Sequence, residues 1–187
     1  MLEKKYGERY QALEDTHCDQ AIEQALEGAP WLSPYLASGS ACLQAFFRFA
    51  GVSESDVIVD IGCGDGRVLV AAAKALGCRG IGMDVSQECV DLASTVARAE
   101  GVDGLVSWHC VDATVPEVFD DLDLATATVV YLYTYPTLLI RLQGLVARLA
   151  RGGARVFTLQ YHMEHLEGWE VCASCDEPSM RLYCLQK

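Results

Sequence analysis

The sequence predicts an α/β fold: a mostly parallel sheet ending in an antiparallel hairpin, preceded by N-terminal helices. Three observations carry this. Short β-branched runs alternate with amphipathic helical stretches from residue 57 to about residue 161. The apolar run Val57-Ile58-Val59-Asp60-Ile61 passes through Gly62-Cys63-Gly64-Asp65-Gly66 into a helix-like stretch. The last segment holds two strand-like runs joined only by the turn-like Asp176-Glu177-Pro178-Ser179.

Taken in order, residues 2–27 read as a helix, with Tyr6, Tyr10, Leu13 and His17 spaced by three and four. Gly28-Ala29-Pro30 ends it. Residues 1–33 are therefore expected as a helical extension, and 34–187 as the main domain. A second helix follows, its apolar face formed by Leu43, Phe46, Phe47 and Ala50. Strands are expected at 57–61, 80–83, 105–111, 127–132 and 154–161. A helix over 68–76 has Gly77 as C-cap. Ser86 caps a helix carrying Val90, Ala93, Val96 and Ala97, and another bears Leu138, Leu142, Leu145 and Leu149. Residues 170–174 and 180–185 form the terminal hairpin.

At 187 residues and 51% hydrophobic content the chain is long enough to bury a sizeable core as one domain. Its net charge of −12 is the wrong sign for tracking phosphates, so nucleic acid is not an expected partner. It suits basic proteins or cationic ligands, and also plain solubility. The nine cysteines are odd in number and mostly in apolar surroundings, so reduced thiols and a cytoplasmic location are expected. The first 30 residues hold seven acids and three bases, unlike a transit peptide. The uncharged runs 28–47 and 124–140 are broken by proline and rich in polar residues, so no membrane span is expected.

The glycine loop is the chemical centre of the sequence. Its spacing is G-x-G-x-G, one residue tighter than the dinucleotide fingerprint G-x-G-x-x-G, which favours a different adenosine ligand. Glycine lets backbone approach a ligand closely, and the following helix start offers unpaired N–H groups. Three acids fall at the ends of three successive strands: Asp60, Asp84 and Asp112. Asp84 lies 18 residues past Gly66, where an acid can accept both ribose hydroxyls. Asp112 can accept from an adenine amino group while the Ala113 N–H reaches a ring nitrogen. Asp60 can face an ammonium directly or through water. Alone, Asp112-Ala113-Thr114 reads equally as a helix cap and Asp84 as a loop acid; it is their succession that points to a ligand. Adenine, ribose, an ammonium and no phosphate describe S-adenosylmethionine.

With these residues the chain resembles the class I S-adenosylmethionine-dependent methyltransferases over about residues 34–187. Asp60-Ile61-Gly62-Cys63-Gly64-Asp65-Gly66 looks like their first motif. The resemblance implies a Rossmann-like seven-stranded sheet with the last strand antiparallel. More narrowly, Asp60 to Val68 with Ala71-Ala72-Ala73-Lys74 resembles the small protein-lysine methyltransferases related to those acting on adenine nucleotide translocase and the ATP synthase c subunit. Pro34-Tyr35-Leu36-Ala37-Ser38 stands where that group carries a Pro-aromatic-Val-Pro-Ser/Thr segment, here without the second proline. Ala127 to Tyr133 with Pro136 is similar to their fourth-strand pattern, as Gly153-Ala154-Arg155-Val156 and Trp169 are to a later one.

By that resemblance Tyr35 and Ser38 contact the methionine end and Tyr133 borders the methyl group. The expected cofactor set is thus Tyr35, Ser38, Asp60, Gly62, Cys63, Gly64, Asp84, Val85, Asp112 and Ala113, with Tyr133 as the catalytic candidate and a protein lysine as acceptor. Tyr131 and Tyr135 read first as strand packing. Other readings remain: a small-molecule acceptor, a non-catalytic cofactor binder, or a zinc module built on His162-x-x-His165 and Cys172-x-x-Cys175. That ligand gap is shorter than in common fingers, Cys172 and Cys175 also read as small hydrophobes, and no metal is expected.

Overall fold

The computed structural model describes residues 38–163 and 167–186. The helix expected over 2–27, the 33/34 boundary and Tyr35 lie outside the described residues. Seven strands form one sheet: β1 (Val57–Ile61), β2 (Arg79–Asp84), β3 (Val106–Cys110), β4 (Val129–Leu132), β5 (Arg155–Leu159), β6 (Trp169–Asp176) and β7 (Ser179–Leu185). Their order is β3-β2-β1-β4-β5-β7-β6. The first five are parallel, and β7 runs antiparallel between β5 and β6. Strand order reverses between β1 and β4, which opens a crevice beyond their carboxyl ends.

Alternation along the strands divides the core into two layers. Ile58, Val129, Tyr131 and Phe157 face α1 (Ser40–Ala50), α2 (Arg67–Leu76) and α3 (Gln87–Ala99), meeting Leu43, Phe46, Leu69, Ala72 and Ala97. Val59, Ile61, Val130, Leu132 and Val156 face α4 (Val118–Asp121) and α5 (Pro136–Arg151), meeting Phe119, Leu139, Leu142 and Leu149. Gly77 closes α2 as expected, its N–H donating to Ala73 O at 2.9 Å, and Ser86 caps α3. The fifth strand stops two residues before the expected end, because Gln160 takes φ 61°. Neither α4 nor the 3₁₀ turn Leu124–Thr126 was expected, and both are only about one turn long.

At the amino ends of the strands one carboxylate joins three of them. Asp56 Oδ2 accepts from the Ser53 N–H at 2.8 Å and the Ser53 hydroxyl at 3.0 Å. Its Oδ1 accepts from the Thr128 hydroxyl and from Arg155, each at 2.6 Å. Thr128 Oγ1 accepts in turn from the Val57 N–H at 2.9 Å. The clamp fixes the starts of β1, β4 and β5, and so sets where their far ends fall.

The hairpin corrects the expectation of reduced thiols for two cysteines. Cys172 and Cys184 form a disulfide between β6 and β7, with Cα atoms 6.1 Å apart. The register shifts between Val171 and Ala173, so Cys172 is the extra residue of a bulge. That irregularity removes the regular pairing from which a small-hydrophobe role for Cys172 would follow. It also takes Cys172 out of the two-by-two zinc set. His162 is engaged too, its Nδ1 3.0 Å from Thr158 Oγ1 and its Nε2 2.9 Å from Ser179 Oγ.

Burial pulls the Asp56 carboxyl upward, but the Thr128 and Ser53 hydrogen bonds and the Arg155 charge outweigh it, leaving its pKa below the ordinary 3.8. A lowered folded-state value gives stability that is present above the unfolded pKa and lost as pH falls through the folded one. Asp56→Asn should therefore cost about 1.5–3 kcal/mol at neutral pH, the range for hydrogen bonds to a charged group. The deficit should shrink below about pH 4, as denaturant titrations across pH will show.

Candidate functional site

The loop after β1 is folded back by its own backbone. The N–H groups of Gly62 and Cys63 donate to Met83 O at 2.8 and 2.9 Å, which binds the loop to the end of β2. Gly62, Gly64 and Gly66 have φ of 82°, 54° and 75°, a region closed to most side chains. Arg67, which follows, is tied to Asp65 through Nε at 2.9 Å and a second guanidinium nitrogen at 2.6 Å.

A row of cross-strand partners lies beneath the loop on the α1–α3 face: Trp108 on β3, Gly82 on β2, Asp60 on β1 and Tyr131 on β4. Trp108 covers the two glycines it meets. A Cβ on Gly82 would lie 2.5 Å from its ring, and one on Gly66 2.4 Å from it. Glycine is thus required at both places for room, and the ring buttresses the loop from below. Burial, reinforced by the nearby Asp60 and Asp84 carboxyls, keeps the Cys63 thiol protonated.

The three strand-end acids differ in circumstance. Asp60 is buried and its Oδ2 has no partner among the described residues. Burial, with smaller contributions from the charges of Asp84 and Asp65, raises its pKa to about 8. Asp84 is held by backbone: Oδ2 accepts from Gly64 N–H and Oδ1 from Ser86 N–H, each at 2.9 Å. Burial also lifts its pKa, against the pull of those N–H groups. Asp112 is exposed, and its Oδ1 accepts from the Thr114 N–H at 2.9 Å and the Thr114 hydroxyl at 2.7 Å. No helix starts here, so the helix-cap reading of Asp112 does not hold: the carboxylate closes a turn onto Thr114, and α4 begins only at Val118. Beside these acids, Val85 is exposed and Ala113 buried.

Ser38 is buried, its hydroxyl 2.8 Å from that of Tyr131. Tyr131 itself is packing, as expected, its ring centroid 4.6 Å from that of Phe46. Past β4, Tyr133 donates its hydroxyl to Gln160 Oε1 at 2.8 Å and stacks on Tyr161 at 6.2 Å. Tyr135 meets the same Tyr161 at 4.5 Å. Four residues of this end carried no expectation: Trp108, Thr134, Gln160 and Tyr161. Thr134 is buried, with its methyl 3.4 Å from where a Gly62 Cβ would stand and its hydroxyl unpartnered among the described residues.

Residues 60–170 match the family described as the ANTKMT methyltransferase domain, and the chain belongs to that family. A protein-lysine N-methyltransferase of Saccharolobus islandicus is 27% identical over 137 residues, 73% of this chain and 80% of that protein. A ribosomal protein L11 methyltransferase of Thermotoga maritima is 32% identical over 94 residues, 48% of this chain and 36% of its own length. Among solved structures, an RNA methyltransferase of Salinibacter ruber in complex with S-adenosyl-L-homocysteine superposes with a TM-score of 0.66 at 27% identity, covering 80% of this chain and 93% of that one. The protein is an S-adenosylmethionine-dependent methyltransferase with a Rossmann-like seven-stranded sheet.

The raised Asp60 pKa has a stability consequence. For a carboxyl shifted upward, no penalty exists below the unfolded pKa near 4, and the penalty grows as pH rises to about 8, where the buried group finally ionises. Asp60→Asn, a neutral isostere, should flatten the decline in unliganded stability between pH 4 and 8. Urea titrations at pH 5, 7 and 9 measure it; a slope equal to wild type would contradict the assignment.

Proposed function

We propose that this methyltransferase modifies a lysine side chain of a protein substrate. The observation that carries the reading is the relationship to the Saccharolobus protein-lysine methyltransferase, which spans most of both chains. A yeast protein-lysine methyltransferase, EFM4, gives local support at 37% identity over 62 residues. The Salinibacter relative is named an RNA methyltransferase, but a net charge of −12 disfavours a polyanionic acceptor.

S-adenosylmethionine supplies an activated methyl group when bound. The residues present suit it. Asp84, oriented by Gly64 and Ser86, retains acceptor capacity for the ribose hydroxyls. Asp112 Oδ2 and the Ala113 N–H suit the adenine edge, with Val85 giving an apolar contact. Gly62, Cys63 and Gly64 offer bare backbone, and Asp60 an acceptor for the ammonium. Ser38, braced by Tyr131, and Tyr35 would complete the methionine end. Tyr133 and Tyr161 form an aromatic wall past the carboxyl ends of β4 and β5, suited to orienting an amine through cation–π contact. The amine must be neutral to react, and the positive sulfonium beside it would favour proton loss.

Incubation with labelled S-adenosylmethionine and a cell extract should place label on protein, at lysine by mass spectrometry. Label confined to small molecules would refute the lysine reading. Asp84→Ala should lose cofactor binding, whereas Tyr133→Phe should lower turnover about tenfold, an effect of about 1.4 kcal/mol, with S-adenosylhomocysteine affinity unchanged in calorimetry.

A further inference from the structure

Three buried side-chain atoms have no hydrogen-bond partner among the described residues: Asp60 Oδ2, Trp108 Nε1 and Thr134 Oγ1. Two of them belong to the carboxyl ends of β1 and β4, the strands between which the sheet order reverses. Thr134 is 3% exposed, and its methyl group rests against Gly62, the first glycine of the loop. A valine would fill the same space without hiding an unpaired hydroxyl, so the threonine carries a stability cost that a bound partner would offset.

We propose that the Thr134 hydroxyl contacts the cofactor and, with Asp60, recognises its amino-acid tail. The pairing suits that chemistry. A zwitterionic tail presents an ammonium, which needs an acceptor, and a carboxylate, which needs a donor. Asp60 supplies an acceptor, and a hydroxyl supplies either. The N–H groups of Gly62 and Gly64 already donate to Met83 O and Asp84 Oδ2, so neither is left for the carboxylate of the tail. The proposal rests on the reading of Asp60 given above.

S-adenosylhomocysteine and 5′-methylthioadenosine share the adenosine thioether and differ in the tail, so titration calorimetry with both isolates it. Thr134→Val should weaken S-adenosylhomocysteine about tenfold and leave 5′-methylthioadenosine within about twofold. Its unliganded melting temperature should equal or exceed that of wild type. Thr134→Ser should bind both ligands as wild type does, and Thr134→Ala should repeat the selective loss if the valine variant folds poorly. Equal weakening of both ligands, or no weakening of either, overturns the proposal. If Asp60→Asn leaves the preference for the tailed ligand intact, the reading of Asp60 fails instead.

Discussion

A carboxyl group buried at the centre of the sheet, one of its oxygens without a partner among the described residues, is the constraint around which this end of the molecule is arranged. Asp60 lies in the row Trp108, Gly82, Asp60, Tyr131, with strands on both sides and helices over that face. Water cannot solvate it, so its neutral form is favoured and its pKa rises to about 8. The surrounding structure must be rigid enough to hold such a group in place. Two devices provide this: the backbone hydrogen bonds from Gly62 and Cys63 to Met83, and the Trp108 ring against Gly66 and Gly82. Gly62, at the head of the loop, is left exposed as bare backbone, which a ligand needs if it is to lie close.

The two ends of the parallel strands divide stability from chemistry. At the amino ends, Asp56 is fully paired and its pKa falls. At the carboxyl ends, Asp60 and Thr134 hold atoms without partners among the described residues, and Gln160 sits at positive φ. The same residue type thus takes opposite roles about one strand length apart, with only its neighbours to distinguish them. Unpaired buried polar atoms at this end stand where a ligand can repay them.

Features written locally were legible in the sequence, and features that depend on register were not. The run Val57 to Gly66 announces a strand, a tight turn and a helix, because β-branched residues and alternating glycines act over adjacent positions. Gly77 and Ser86 were readable as caps for the same reason. Gly82 and Trp108 were not readable as a pair. Their contact exists only once β2 and β3 are set side by side, 26 residues apart in the chain. Thr134 and Tyr161 belong to turns after β4 and β5 that converge only in the folded sheet. The disulfide escaped because a bulge at Cys172 brings it to Cys184, and a bulge has no signature in spacing. Asp112 is a different case. Its carboxylate closes a turn onto Thr114 and starts no helix, a distinction that Asp112-Ala113-Thr114 does not carry by itself.

Desolvation governs the carboxyls that this end of the sheet buries, Asp60 and Asp84, and not Asp112, which stays exposed. It raised Asp60 and Asp84 because a carboxylate loses more than a carboxylic acid on leaving water. An amine entering the same surroundings loses more as ammonium than as free base, so its pKa moves down. A cationic ligand reverses the first effect, since its charge favours ionised Asp60, and strengthens the second by repelling the ammonium. Cofactor binding and the proposed activation of an amine acceptor therefore draw on one property, the poor solvation around Asp60 and Asp84. The lysine acceptor proposed above draws on this same pair of effects.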